Sequence, residues 1–125
     1  GADGVQAASR FVATEECDAS EAFKQAYVWA DEEDIVIIKS PVGMPGRAVK
    51  NRFIEKMQKD PGGVNWCYNC LKACNPATAE YCISQALINA VEGNLDEGLI
   101  FCGQRTGEIR EISTVHQVVE DLLAV

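Results

Sequence analysis

Four cysteines crowded between positions 67 and 82 constrain this chain more than any other feature. Cys67 and Cys70 form a C-x2-C pair, Cys74 follows after three residues, and Cys82 after seven more. Such a turn brings three thiolates round one point while the fourth arrives from the start of the next helix. That is the donor arrangement of a tetrahedral zinc site or of a [4Fe–4S] cluster. Packing of a loop by small buried residues is the plain alternative, because free cysteine is among the most buried residue types. A disulfide framework is the third, and it fits less well, since the chain shows no secretion signal and the cytosol keeps thiols reduced. Zinc more often uses two separated C-x2-C knuckles, so iron–sulfur leads between the metals. Cys17 and Cys102 lie far outside this group and read as small buried packing residues.

The whole chain has 125 residues, one domain's worth, whereas a complete (β/α)8 barrel needs about 250. Its hydrophobic share of 47% is that of a globular core rather than a disordered tail. Eleven basic against nineteen acidic residues leave a formal charge of −8, which repels a phosphate backbone and argues against nucleic acid as a partner. No apolar run approaches the ~20 residues of a membrane helix, so no membrane association is expected and a cytoplasmic location is. The chain opens on Gly1 without Met, which fits a processed terminus or a piece of a longer protein. Its one histidine, His116, reads as the exposed side of a helix, so the chain is poorly equipped for acid–base catalysis.

Periodicity and punctuation divide the chain further. Gly4 to Phe11 is a candidate strand. Ser20 caps a helix carrying Phe23, Ala26, Tyr27 and Ala30 at helical spacing, which runs into the solvated acidic stretch Asp31 to Asp34. Ile35 to Ile38, β-branched throughout, predicts a buried strand, followed by a loop through Pro41, Gly43, Pro45 and Gly46. A helix is predicted over Arg47 to Lys59, with Val49, Phe53 and Met57 on one face, stopped by Pro61-Gly62-Gly63. Thr78 is the expected cap of a helix with the stripe Ile83, Ala86, Leu87, Ala90 and Val91, ended by Gly93-Asn94. Leu99 to Cys102 is a short apolar run. Ser113 is the expected cap of a last helix that turns Val115, Val118, Val119, Leu122 and Leu123 inward.

Several segments, taken in order, carry a resemblance. Gly1-Ala2-Asp3-Gly4-Val5-Gln6 with Ser9-Arg10-Phe11-Val12-Ala13-Thr14, then Gly46-Arg47-Ala48-Val49-Lys50-Asn51, then Gly93-Asn94-Leu95-Asp96-Glu97-Gly98 and Gly103-Gln104, resemble the C-terminal portion of the nitronate monooxygenases. These include the former 2-nitropropane dioxygenases and the flavin-type enoyl-[acyl-carrier-protein] reductases. The cysteine order separately resembles the cluster loop of iron–sulfur flavoenzymes of the 2,4-dienoyl-CoA reductase type, whose final spacer is longer.

The family resemblance implies an α/β fold class, the C-terminal fragment of an FMN-binding (β/α)8 TIM barrel, mainly helical in this chain. It implies three stretches: residues 1–14 as the last barrel strand and phosphate turn, 15–110 as an inserted segment with the cysteine loop 67–82, and 111–125 as the terminal helix. Gln6, Ala8, Ser9 and Arg10 would occupy the FMN phosphate turn, consistent with phosphate sites after strands seven and eight of such barrels. The family usually has Gly-Thr where this chain has Ala8-Ser9. Gly103 and Gln104 would lie near the flavin edge and substrate pocket. Arg47 and Lys50, at the start of an inserted helix, would either approach an anionic group or form a solvated face. The family's catalytic histidine belongs to an earlier strand, so no catalytic residue is assigned here and the chain alone is expected to be inactive.

The implied partners are the rest of the barrel, a small-molecule substrate and NAD(P)H. The implied reactions are oxidation of alkyl nitronates or reduction of enoyl thioesters through FMN. Two other classes remain open at this point. One is an autonomous four-cysteine metal-binding module holding iron–sulfur or zinc at Cys67, Cys70, Cys74 and Cys82. The other is a structural interaction domain that self-associates through an exposed apolar side.

Overall fold

Three helices begin where a polar side chain takes up an amide that the first turn leaves without a partner. The computed structural model describes residues 1 and 3–124. After a short helix α1 (Ser9–Val12), Ser20 Oγ accepts the Phe23 N–H at 3.3 Å and starts α2 (Glu21–Trp29). Asn51 Oδ1 accepts the Ile54 N–H at 3.1 Å and starts α3 (Arg52–Lys59). Thr114, not Ser113, caps the last helix by accepting the Gln117 N–H at 3.1 Å. Between α3 and that helix lies α4 (Ile83–Glu92), and the last is α5 (Val115–Leu123). The cap expected at Thr78 is absent, because its hydroxyl turns back to the Asn75 carbonyl at 3.4 Å in a local turn. Cys82 stands at the cap position of α4 instead, with no side-chain capping bond. The stop at Gly93 falls where expected, its φ of +97° being one that a side chain would strain.

The predicted strand at Ile35–Ile38 forms as β1 (Ile35–Lys39), but its partner comes from a segment expected to be something else. Residues Pro45–Val49, expected as loop and helix start, are β2, paired antiparallel with β1 in the register Ile35 to Val49 and Lys39 to Pro45. The helix cannot begin until the Asn51 cap. On its other edge β2 meets the Leu99–Cys102 run: the Val49 N–H donates to the Ile100 carbonyl at 2.9 Å and the Cys102 N–H to the Arg47 carbonyl at 3.0 Å. β1 is therefore an edge strand and only partly buried, with Ile37 61% exposed.

Alternation along these strands divides the core in two, since successive residues of a strand face opposite sides. Ala48 and Leu99 join Phe53, Ile54, Tyr81, Ile83 and Ala86 on one side. Val49 and Ile100 join Ala13, Tyr27, Ala30, Ala90 and Ile109 on the other. α4 serves both sides through Ala86 and Ala90, while Leu87 and Val91 of the predicted stripe stay exposed.

Two further expectations change. Gly4 to Ala8 forms no strand and Val5 is 72% exposed, because an extended segment needs a neighbouring strand to complete a ladder. On α5 only Val118 is fully buried, whereas Val115, Val119 and Leu123 face outward, since the helix packs by one narrow face against α1.

Asn51 is the junction of α3 with the turn before Leu99. Besides capping α3, its Nδ2 donates to the Leu95 carbonyl at 2.9 Å and to the Gly98 carbonyl at 2.8 Å. Asn51→Ala removes a cap and leaves two carbonyls without this donor, an expected loss of about 2–3 kcal/mol by urea denaturation. Asn51→Asp keeps the cap acceptor and should recover part of that loss.

Candidate functional site

The fold brings the turn around Ser9 against the Gly103 loop. Ser9 Oγ accepts the Gly103 N–H at 2.8 Å across 94 positions of sequence. The Gly103 carbonyl in turn accepts from the buried Thr106 hydroxyl at 2.9 Å, which closes the loop on itself. A Cβ at Gly103 would lie 3.3 Å from Ser9 Oγ, so this glycine permits the close approach. The loop is stiffened further by Arg105, whose guanidinium makes two 2.7 Å bonds to the Glu108 carboxylate. That pairing holds Glu108 below the usual carboxylate range and Arg105 above its own.

Ser9 opens α1, where the first amides of a helix have no intrahelical acceptor. The Ser9 and Arg10 amides are thus available donors beside a hydroxyl that keeps its own proton for a further acceptor. Ala8 has φ of −133°, a conformation that needs no glycine, so the departure from Gly-Thr introduces no backbone strain here. The Arg10 guanidinium is engaged elsewhere, on Asp121 Oδ2 of α5 at 2.8 Å, and its hydrogen bond helps hold the Asp121 carboxyl below its ordinary range, together with the Gln117 side chain. Gln6 and Gln104 are both exposed.

Around this junction the core supplies rigidity. The Tyr27 hydroxyl donates to the Phe101 carbonyl, and burial pushes its phenol well above the ordinary range, so it stays a donor at any physiological pH. Cys102, expected to be buried, is half-buried beside Thr106 and Arg47; burial raises its thiol, partly offset by the Thr106 hydrogen bond and the Arg47 charge. Cys17 is likewise half-buried. Arg47 lies on β2 rather than on a helix, and Lys50 is exposed in the turn before the Asn51 cap. Sequence reasoning missed Thr106 and Asp121 as residues that fix this region.

The cysteine segment lies apart from this junction. Cys67, Cys70, Cys74 and Cys82 all line one cavity of about 460 Å³, together with Val64, Tyr68 and Ile83. Each is a free thiol. They do not converge on one point: among the described residues, no three His, Cys, Asp or Glu side chains are placed to hold a metal ion. His116 is exposed on α5, 3.2 Å from Glu120. No helix among the described residues is long and apolar enough to cross a membrane.

An exposed turn joined to a glycine loop over a split core makes this a mixed α/β protein. The family described as nitronate monooxygenase matches residues 1–124, and the chain belongs to it. A probable nitronate monooxygenase of Staphylococcus aureus strain Newman is 38% identical over 64 residues, 51% of this chain and 18% of that protein. The structure of FabK from Thermotoga maritima superposes over 99% of this chain and 37% of its own, at 34% identity and a TM-score of 0.77. A FabK mutant from the same organism matches 99% of this chain and 34% of its own, at 30% identity and a TM-score of 0.73. The chain therefore spans 18% of the Staphylococcus protein and roughly a third of FabK. The family match runs through the cysteine segment.

Proposed function

We propose that this chain is the C-terminal part of an FMN-dependent oxidoreductase built on a (β/α)8 barrel. In this reading the Ser9 turn holds the flavin phosphate and Gly103-Gln104 faces the flavin edge and a small-molecule substrate. The observation that carries it is the Ser9 Oγ to Gly103 N–H bond, which sets the two segments side by side. The donor set suits a phosphate: the Ser9 hydroxyl and the Ser9 and Arg10 amides offer hydrogen bonds without a buried cation, and phosphate at an orphan-amide turn is a common solution. FMN, when bound, supplies the electron-pair acceptor for an alkyl nitronate or carries hydride from NAD(P)H to an enoyl thioester. Ser9 would orient the phosphate and fix the loop at once, while Arg10, held on Asp121, anchors the turn to α5 instead of neutralising the phosphate. In this reading no residue described here is assigned the proton transfer, which falls to another part of the parent polypeptide.

Ser9→Asp sets a carboxylate against the phosphate. In the polypeptide carrying the whole barrel, flavin content should fall at least tenfold by absorbance and fluorescence. Flavin retained at unchanged affinity would overturn the assignment of this turn. Ser9→Thr keeps the hydroxyl and should retain FMN.

A further inference from the structure

We infer that Cys67, Cys70, Cys74 and Cys82 ligate an iron–sulfur cluster of the [4Fe–4S] type in the cavity they line. This goes beyond the flavin site and is independent of it. Three features of the cavity favour a cluster over a single ion. First, four thiols stand on the wall of one space of about 460 Å³, room for a four-iron core rather than for a single ion. A zinc ion draws each sulfur to about 2.3 Å of one centre, whereas each thiolate of a four-iron cluster binds its own iron and the sulfurs stay spread.

Second, two sulfurs already carry hydrogen-bonding partners. The Asn69 N–H donates to Cys67 Sγ at 3.4 Å, made possible by the left-handed Asn69, whose φ of +53° folds the C-x2-C turn back on its first sulfur. Ser84 Oγ lies 3.0 Å from Cys70 Sγ. These contacts fix the positions of the two sulfurs on the cavity wall. Cys82 sits at the N-cap of α4 with no capping bond to compete for its sulfur, and α4 has no acidic residue in its first turn. The positive end of that helix therefore favours an anionic thiolate cluster.

Third, the segment has little regular secondary structure to hold its shape. No helix or strand forms between Lys59 and Ile83, and Trp66, Tyr68 and Leu71 are exposed at 72%, 44% and 44%. Gly63 N–H to the Glu80 carbonyl at 3.0 Å is a rare long-range backbone bond within it. Structureless loops of this length are uncommon unless functional. A cluster binding four points of the loop would supply the cross-links that secondary structure does not. Ligation displaces one proton from each thiol and leaves Cys17 and Cys102 free.

The test is iron and acid-labile sulfide analysis of the protein isolated without oxygen from iron-supplemented cells, together with alkylation before and after chelation. Equimolar iron and sulfide, broad visible absorption, and thiol reactivity confined to Cys17 and Cys102 until iron is removed are expected. Cys70→Ala should lose at least nine-tenths of the iron, while Cys17→Ser retains it. Stoichiometric zinc without sulfide would overturn the cluster. So would protein free of both metals in which all six thiols react at once. If Cys70→Ala does not fold, the alkylation pattern of the unaltered protein still decides the question.

Discussion

Leu99→Ala is expected to lower the unfolding free energy by about 2–5 kcal/mol, the range for emptying a fully buried leucine site. Leu99 is wholly shielded from solvent and is packed between β2, α3 and α4. Its backbone is fixed as well, since its N–H donates to the Ala86 carbonyl at 3.0 Å. The neighbours cannot close the void cheaply, because Ala48 and Ala86 are already small and belong to a strand and a helix. Urea denaturation should show a lower midpoint at unchanged slope. A loss below about 1 kcal/mol would mean that this side of the core does not close tightly around Leu99. For a domain whose total stability is of order 5–15 kcal/mol, the upper end of the expected loss would leave a large unfolded fraction at body temperature.

The second large effect is expected one residue earlier. A Cβ on Gly98 would stand 2.6 Å from the Ala90 Cα and 2.7 Å from its N, and these are backbone atoms of α4 that cannot rotate aside. Gly98→Ala must therefore separate α4 from the turn that Asn51 holds, at a cost of about 3 kcal/mol or more. Changing Ala90 to Gly should not rescue it fully, since the contact is with Cα and N as well as with the methyl group. Gly62→Ala meets nothing within 4 Å and serves as the control, with thermal unfolding unchanged.

Local chemistry was legible where a residue acts on its own few neighbours. Ser20 capping α2, the β-branched run of β1 and Gly93 ending α4 are all written in segments shorter than a dozen residues. Arg47 to Val49 misled because so short a stretch suits a helix start as well as a strand, and only pairing with Ile35 to Ile37 chooses between them. The last helix misled for the opposite reason: its apolar stripe is real, but periodicity cannot say how wide a neighbour will cover it. At the candidate site, the positions of Ser9 and Gly103 were named by resemblance, while their contact spans too much sequence for any pattern to carry. The four cysteines line one cavity, yet how far apart the sulfurs stand depends on the loop's path, which spacing does not determine.

Near its two ends the chain is stitched together: Ala13 and Glu15 exchange backbone bonds with Ser113, Glu16 receives the Val115 N–H on its carboxylate, and Arg10 reaches Asp121. Everything between becomes an excursion that leaves and returns through one gate. The entropy of closing such a loop grows only logarithmically, by about 0.6 kcal/mol for each doubling of its length. Lengthening the stretch between α3 and α4 therefore costs the junction at Ser9 almost nothing. Natural variation can remodel that excursion, with its thiols and whatever they hold, while the geometry at the gate stays the same.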